Sequence, residues 1–494
     1  MVLRFAFASV LGLCFLVLLC LMLEDVYGVA ITSGDENWFF PISWAYSETG
    51  MLFHPFATPV PDNPNGELIW HGWLTPLLLG ALQPLAGYAH IKLSAHVLAL
   101  AMLGGYAWFI VKRFGMSAAI LCVPILGALF VYQAGRPELL LSGLILAYLL
   151  LFERADRLIL DGLVLALLAV TSPVAGFMIG ILMMLRRADD FPVGRDLLYH
   201  IARLCVVVPL LAGALTLFLA GLNPFEWIRG VATHGTVVVL RSDGQFIDCF
   251  IRLTEFPMSV LTIVLALILA LSRFQRGQAL SSVLLAMFVV SIWLFAIRDP
   301  STVYNLLALT PLVLVDLLER QRRFFMIARS AVIGSMAVLA LTSSIALART
   351  GAMSVLNLQN GRNAAGFLDA LDGLPTNGRL VFEARSAPLV MSALGDAVPT
   401  YPWDARRVTV RGHLAMANAA ASEGLDGPTY RLIVQAHSGR LAPMLLAGEC
   451  LLANAFHLTR PSIFGVAVGN TYKDFAFAIA SEGDVCATDG RTGG

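Results

Sequence analysis

Long apolar runs recur along this chain, and the longest reach the ~20 residues that a helix needs to cross the hydrocarbon core of a bilayer. The runs lie at about Phe5–Leu23, Ile91–Val111, Ser117–Val131, Leu139–Phe152, Leu158–Val170, Val174–Leu185, Ile201–Gly221, Met258–Leu271, Ser282–Ile297, Val303–Leu318 and Met326–Leu347. Composition agrees: of 494 residues, 58% are hydrophobic and 13% charged, where soluble domains carry roughly 45–50% and 25%. The mean hydropathy is +0.77. A soluble globule, a disordered chain and a fibre are excluded, which leaves a polytopic α-helical membrane protein of about eleven spans. Lys plus Arg and Asp plus Glu are 33 each, so no excess of positive charge points to nucleic acid. The seven cysteines contain no Cys-x-x-Cys pair and supply no metal framework or redox motif.

Sidedness follows from the arginines. With Arg4 inside and the runs alternating, the inner turns carry Lys112-Arg113, Arg154 with Arg157, Arg186-Arg187, Arg273 with Arg276, and Arg320 with Arg322-Arg323. Every alternate turn is basic, as the positive-inside rule requires. Leu74–Ala86 is apolar but short and holds Pro76 and Pro84, so it is expected as an interfacial or partly inserted helix. Thr171-Ser172-Pro173 interrupts Leu158–Leu185, giving either two short spans or one kinked helix. A cleaved signal peptide is the rival for the first run, whose apolar stretch exceeds a signal core.

An odd number of spans leaves the N-terminus cytoplasmic and places the chain after about Thr350 outside. Short apolar runs there, such as Arg379–Glu383, Thr429–Gln435 and Ile463–Gly469, alternate with alanine-rich stretches. This predicts a soluble α/β domain over 350–494, following a membrane domain over 1–349 with an outward first loop over 24–90. Cys450 and Cys486 are the only cysteines beyond the last run, and an oxidising compartment would permit a disulfide between them.

Polar residues concentrate on the outward side. The first loop holds Asp35-Glu36, His54, Glu67 and His71 among several tryptophans. The turn after the third run holds Gln133, Arg136 and Glu138, and the turn after the ninth holds Arg298, Asp299 and Tyr304. An outward loop at about Leu222–Phe256 adds Glu226, Arg229 and Arg252. Acids and arginines converging at one membrane face suit chemistry on an anionic substrate.

The order of motifs is informative. Gly34-Asp35-Glu36-Asn37-Trp38 follows the first run, then comes Trp70-His71-Gly72-Trp73-Leu74-Thr75-Pro76-Leu77, then a run ending in Lys112-Arg113, then Gly135-Arg136-Pro137-Glu138-Leu139-Leu140. This set resembles the GT-C superfamily of polyprenyl-phosphate-sugar-dependent glycosyltransferases, most nearly the bacterial aminoarabinose transferases and protein mannosyltransferases. Their first loop carries an acidic pair, and an Arg-Pro-Asp/Glu turn precedes the fourth span. The resemblance covers the motifs of roughly the first 160 residues. It departs at His71-Gly72, where close relatives often have a Glu-Lys-Pro-Pro-like run. It implies a bacterial inner-membrane enzyme that moves a sugar from a polyprenyl-phosphate donor to a lipid, glycan or protein acceptor at the periplasmic face.

Transfer from a lipid phosphate needs a base for the acceptor hydroxyl and cations for the departing phosphate. Asp35 is the candidate base, with Glu36 as second choice; a helix N-cap is the competing role. Arg136 and Arg298 are candidate phosphate ligands, because guanidinium meets phosphate bidentately. Their competing role is pairing with Glu138 and Asp299 to hold a turn. Tyr304 and His71 complete the substrate-binding set. Glu67 and His71, at i and i+4, can present two ligands to a divalent metal. No cofactor is otherwise implied, and no Walker or GxGxxG sequence stands in a strand-turn-helix context. Two other classes remain open: a secondary transporter or lipid flippase, and a non-catalytic envelope assembly protein. The first usually shows internal repeats and polar groups at the midplane.

Overall fold

The computed structural model describes residues 1–27, 42–43, 46–47, 50–52, 72–86, 92–151, 157–187, 194–241, 307–320 and 326–372, together with short strands between 379 and 482. The helices are α1 (Val2–Tyr27), α2 (Leu74–Ala86), α3 (Leu93–Phe114), α4 (Met116–Gln133), α5 (Pro137–Leu151), α6 (Arg157–Thr171), α7 (Pro173–Arg187), α8 (Gly194–Phe218), α9 (Pro224–Arg241), α10 (Thr310–Arg320) and α11 (Met326–Asp372). Among the described residues, five helices are long and apolar enough to cross a membrane: Val2–Glu24, Leu93–Phe114, Met116–Gln133, Arg195–Phe218 and Val332–Val355. Apolar α5 is shorter. The expected spans Met258–Leu271 and Ser282–Ile297 lie outside the described residues.

The chain divides into two compact units. One combines Met1–Cys14, Ile69–Thr75 and Leu98–Leu347; the other combines Phe15–Leu68, Pro76–Val97 and Ala348–Gly494.

In the first unit, α6 packs against α5, α7 and α8, and α10 packs against α4 and α5. The interruption at Thr171-Ser172-Pro173 resolves into two helices of 15 residues. Each is about 22 Å long, short of the ~30 Å core. Glycines set their spacing. A Cβ on Gly176 would lie 2.6 Å from the Leu168 carbonyl oxygen, and one on Gly180 would lie 2.9 Å from Leu165 Cδ2. Positions 176 with 168 and 180 with 165 match an antiparallel hairpin, with Pro173 in the first turn of α7, where its missing N–H costs nothing. The basic ends of both helices therefore lie together, as the arginine pattern requires.

One expectation is corrected within this unit. The stretch after Leu222 reads as a polar loop, yet its first half is helix α9, 18 residues long. The Asn223 side chain accepts the Phe225 N–H at 3.0 Å, Pro224 opens the helix and Glu226 stands in its first turn. These are strong start signals, and buried Trp227 anchors the helix.

In the second unit, α2 is a 13-residue helix, too short to span, in line with its expected interfacial character. A Cβ on Gly80 would strike the Ser43 carbonyl oxygen and lie 2.9 Å from a Tyr46 ring carbon, so Ser43 and Tyr46 pack directly on α2. Helix α11 runs 47 residues without a break, about 70 Å, straight through the boundary expected near Thr350; its residues from Ala348 on belong to this second unit. Its Ser354 hydroxyl donates to the Cys20 carbonyl of α1 at 2.8 Å, and Gly351 lets Val17 approach closely.

The strands are β1 (Arg379–Glu383), β2 (Val408–Arg411), β3 (Thr429–Ala436), β4 (Glu449–Leu451), β5 (Phe456–Leu458), β6 (Ser462–Ile463), β7 (Val466–Ala467) and β8 (Phe475–Glu482). The larger sheet has the order β2-β1-β3-β8-β4, with β5 also on β8. β1 is parallel to β2 and to β3, and β8 is antiparallel to β3, β4 and β5. β4 and β5 pair with successive stretches of β8. The expected strand at Ile463–Gly469 is instead a small antiparallel pair, β6 with β7. Cys450 lies on β4 opposite Ser481, whereas Cys486 lies outside the described residues.

Candidate functional site

The turn between α4 and α5 is built by four residues in series, Gly135 to Glu138. α4 ends at Gln133. Gly135 has φ +84°, a left-handed conformation suited to glycine. The Arg136 N–H then donates to the Gln133 carbonyl at 2.9 Å. Pro137 opens α5, which places Glu138 in the first turn, where the helix dipole favours an acid.

The side chains of this turn are buried: Gln133 is 1% exposed, Arg136 7% and Glu138 5%. Arg136 donates from Nε to Glu138 Oε2 at 3.2 Å and from Nη2 to Oε1 at 3.4 Å. The turn-holding role expected as the alternative for Arg136 is thus physically realised, and two of a guanidinium's five N–H donors are engaged by it. Behind the turn, the Ser142 hydroxyl donates to the Glu138 carbonyl at 3.1 Å, and the Tyr106 hydroxyl donates to the Ser142 carbonyl at 2.6 Å.

A second anchor lies at the C-terminal ends of α6 and α8. Gly72 sits so close to the α6–α7 turn that a Cβ would run into the Thr171 carbonyl. The next residue, Trp73, is fully buried. Its indole N–H donates to Thr216 Oγ1 at 3.1 Å, and the Thr216 hydroxyl donates to the Ala212 carbonyl at 2.7 Å. The departure from the family pattern at His71-Gly72 thus has a local structural role: glycine permits a backbone-on-backbone contact that no other residue allows.

Of the residues singled out from sequence, the structure brings together Arg136 and Glu138. Asp35, Glu36, Glu67, His71, Arg298, Asp299 and Tyr304 lie outside the described residues. No group of three His, Cys, Asp or Glu side chains gathers to hold a metal ion among the described residues.

The sequence reading missed a charged cluster at the opposite, basic end of the same unit. Asp161 accepts Arg187 Nε–H at 2.9 Å and Arg187 Nη2–H at 3.0 Å, and its Oδ2 lies 2.8 Å from His200 Nε2. Arg186 pairs with Asp316 and with Glu319 (2.7 Å), and Arg113 reaches Glu319 at 3.9 Å. From His200 to Thr216 is about 24 Å of α8, so polar clamps hold both ends of this helix. The signal was present: Asp161 and Asp316 are lone acids inside apolar runs, and such a residue demands a partner.

The described helices and sheet match a known architecture. The crystal structure of ArnT from Cupriavidus metallidurans in the apo state aligns with a TM-score of 0.51 and 14% sequence identity, covering 96% of this chain and 98% of that one. The crystal structure of the same protein bound to undecaprenyl phosphate aligns over the same shares at 14% identity, with a TM-score of 0.49. The chain thus shares the fold of that apo structure. No sequence-family model matches the chain, and no curated protein matches it in sequence.

Proposed function

We propose that this chain is an integral-membrane glycosyltransferase that moves one sugar from a polyprenyl-phosphate donor to an acceptor at the periplasmic face of a bacterial inner membrane. One observation carries the reading: the correspondence of nearly the whole chain to the fold of apo ArnT. The ordered motifs of the first 160 residues add to it. ArnT is itself known in a complex with undecaprenyl phosphate, which makes that lipid the donor class to test first.

In the proposed transfer, the acceptor hydroxyl oxygen attacks the anomeric carbon of the sugar. The bond from that carbon to the phosphate oxygen breaks, and the polyprenyl phosphate leaves with the electron pair. Asp35 takes the hydroxyl proton, with Glu36 beside it. Arg298, with Asp299 and Tyr304 in the same turn, offsets charge on the leaving phosphate. Arg136 acts with Glu138, and because Glu138 already neutralises part of its charge, Arg298 carries more of the phosphate contact. His71 contributes a hydrogen bond. Glu67 and His71 are the pair to which a divalent cation would be assigned, although two arginines already supply the charge that the phosphate requires. The N-terminus is cytoplasmic, and residues 350–494 form a periplasmic domain beside the acceptor.

Mass spectrometry of envelope lipids and glycans from cells with and without this chain tests the proposal. The expected result is loss of a single sugar mass from one acceptor class, reproduced by Asp35→Asn in protein that is still inserted. An unchanged profile overturns the reading, and so does transfer at the normal rate by Asp35→Asn, which should be lower by roughly 10²–10⁴-fold.

A further inference from the structure

The turn that holds Arg136 and Glu138 also contains a group with no internal partner. The Gln133 side chain is 1% exposed, and among the described residues neither its Oε1 nor its Nε2 has a hydrogen-bond partner. Buried amides are nearly always satisfied, because leaving both halves unpaired forfeits their hydration. Thr75, Ser94, His96 and Ser343 also bury a polar side-chain atom without a partner, but Gln133 leaves both halves of an amide unmet and stands in the same turn as Arg136 and Glu138.

The chemistry of the amide narrows what would complete its hydrogen bonds. Nε2 offers two N–H donors and Oε1 two acceptor lone pairs. A phosphate oxygen only accepts, so it would leave Oε1 unmet. An ammonium only donates, so it would leave Nε2 unmet. A hydroxyl does both, and two neighbouring hydroxyls on a ring can serve the two halves of one amide together. The surroundings agree: Gln133 accepts the Arg136 N–H through its own carbonyl, and Arg136 and Glu138 cancel each other's charge three and five residues further on. A locally neutral, polar, dry turn favours a neutral polyol over an ion.

We propose that Gln133 forms a sugar-hydroxyl subsite at the α4–α5 turn, gripping the ring of the transferred sugar while other residues hold the lipid phosphate. This inference rests on the glycosyltransferase reading and adds to it the residue that distinguishes a sugar-loaded lipid from the bare lipid phosphate.

The test compares thermal unfolding in detergent of the full chain and of Gln133→Met, which keeps length and volume while removing the polar atoms. Each is measured alone, with undecaprenyl phosphate, and with undecaprenyl phosphate carrying aminoarabinose, mannose or glucose. The expected result is a higher Tm for unliganded Gln133→Met, because an unpaired buried amide is removed. At least one sugar-bearing lipid should raise the Tm of the original chain further than bare lipid does, and Gln133→Met should lose that extra shift while keeping the shift from bare lipid. A lower Tm for Gln133→Met with the extra shift retained means that the amide is satisfied by water and overturns the subsite. Absence of any extra shift in the original chain overturns it as well. An extra shift without any sugar transfer leaves the subsite standing and removes the enzyme reading, so the two failures are distinguishable.

Discussion

Asp161 offers the sharpest check on how this helical unit is held together. Its carboxylate is 0% exposed and faces Arg187, which is 1% exposed. The pair is joined at 2.9, 3.0 and 3.1 Å, with His200 on the second oxygen at 2.8 Å, and the Arg187 guanidinium lies 5.7 Å from the centre of the Tyr148 ring. Asp161→Ala removes the carboxylate that accepts these hydrogen bonds from Arg187 in a buried site. Breaking a buried pair from one side costs about 3–5 kcal/mol, so the variant should unfold far more readily. Replacing both residues, with Asp161→Leu and Arg187→Met, removes both charges, and such replacements are often neutral or stabilising by about 1–4 kcal/mol. The double variant should therefore recover most of the loss. The assay is reversible unfolding in mixed micelles, followed by tryptophan fluorescence and arranged as a double-mutant cycle. If Asp161→Ala costs under about 1 kcal/mol, the value expected of solvent-exposed pairs, the cluster is hydrated and the argument from burial fails.

Two further outcomes follow from the same geometry. Gly72→Ala forces a Cβ against the Thr171 carbonyl and should cost about 1–3 kcal/mol; urea titration in micelles measures it, and a cost below about 0.5 kcal/mol, the range of ordinary surface changes, would contradict the close backbone approach. Arg136→Ala leaves Glu138 buried and unpaired, so it should be unstable, and adding Glu138→Ala should restore stability. Donor binding by the restored double variant then separates the roles: normal affinity assigns Arg136 to the turn alone, and weakened affinity assigns it to the donor as well.

Much of the helical architecture was legible in the sequence because partition into a bilayer depends on composition summed over a local window. The starts and ends of α3, α4 and α5 fall within about three residues of the hydropathy reading, the limit at which helix ends are defined in any case. The Gly135-Arg136-Pro137-Glu138 turn was legible for a similar reason: a left-handed glycine, a proline at the first helical position and an acid behind it are local instructions. The short helix at Leu74–Ala86 and the strands β1 and β3 were readable in the same way. Helix α9 was not, because its polar residues were weighed for charge while its capping signals at Asn223 and Pro224 were passed over.

What tertiary structure decided is which distant polar groups meet. Nothing in the local sequence says that Asp161 finds Arg187 and His200, that Arg186 finds Asp316, that Trp73 finds Thr216, or that the Gln133 side chain finds no partner among the described residues. The cost of a buried polar atom is fixed by whether a partner lies within about 3 Å, and that distance is set by how helices far apart in the chain pack. The sequence by itself therefore determined that these residues would be costly to bury and at which end of the helices they belong. Only the packed structure determined which of those costs are met inside the protein and which, as at Gln133, are left open among the described residues.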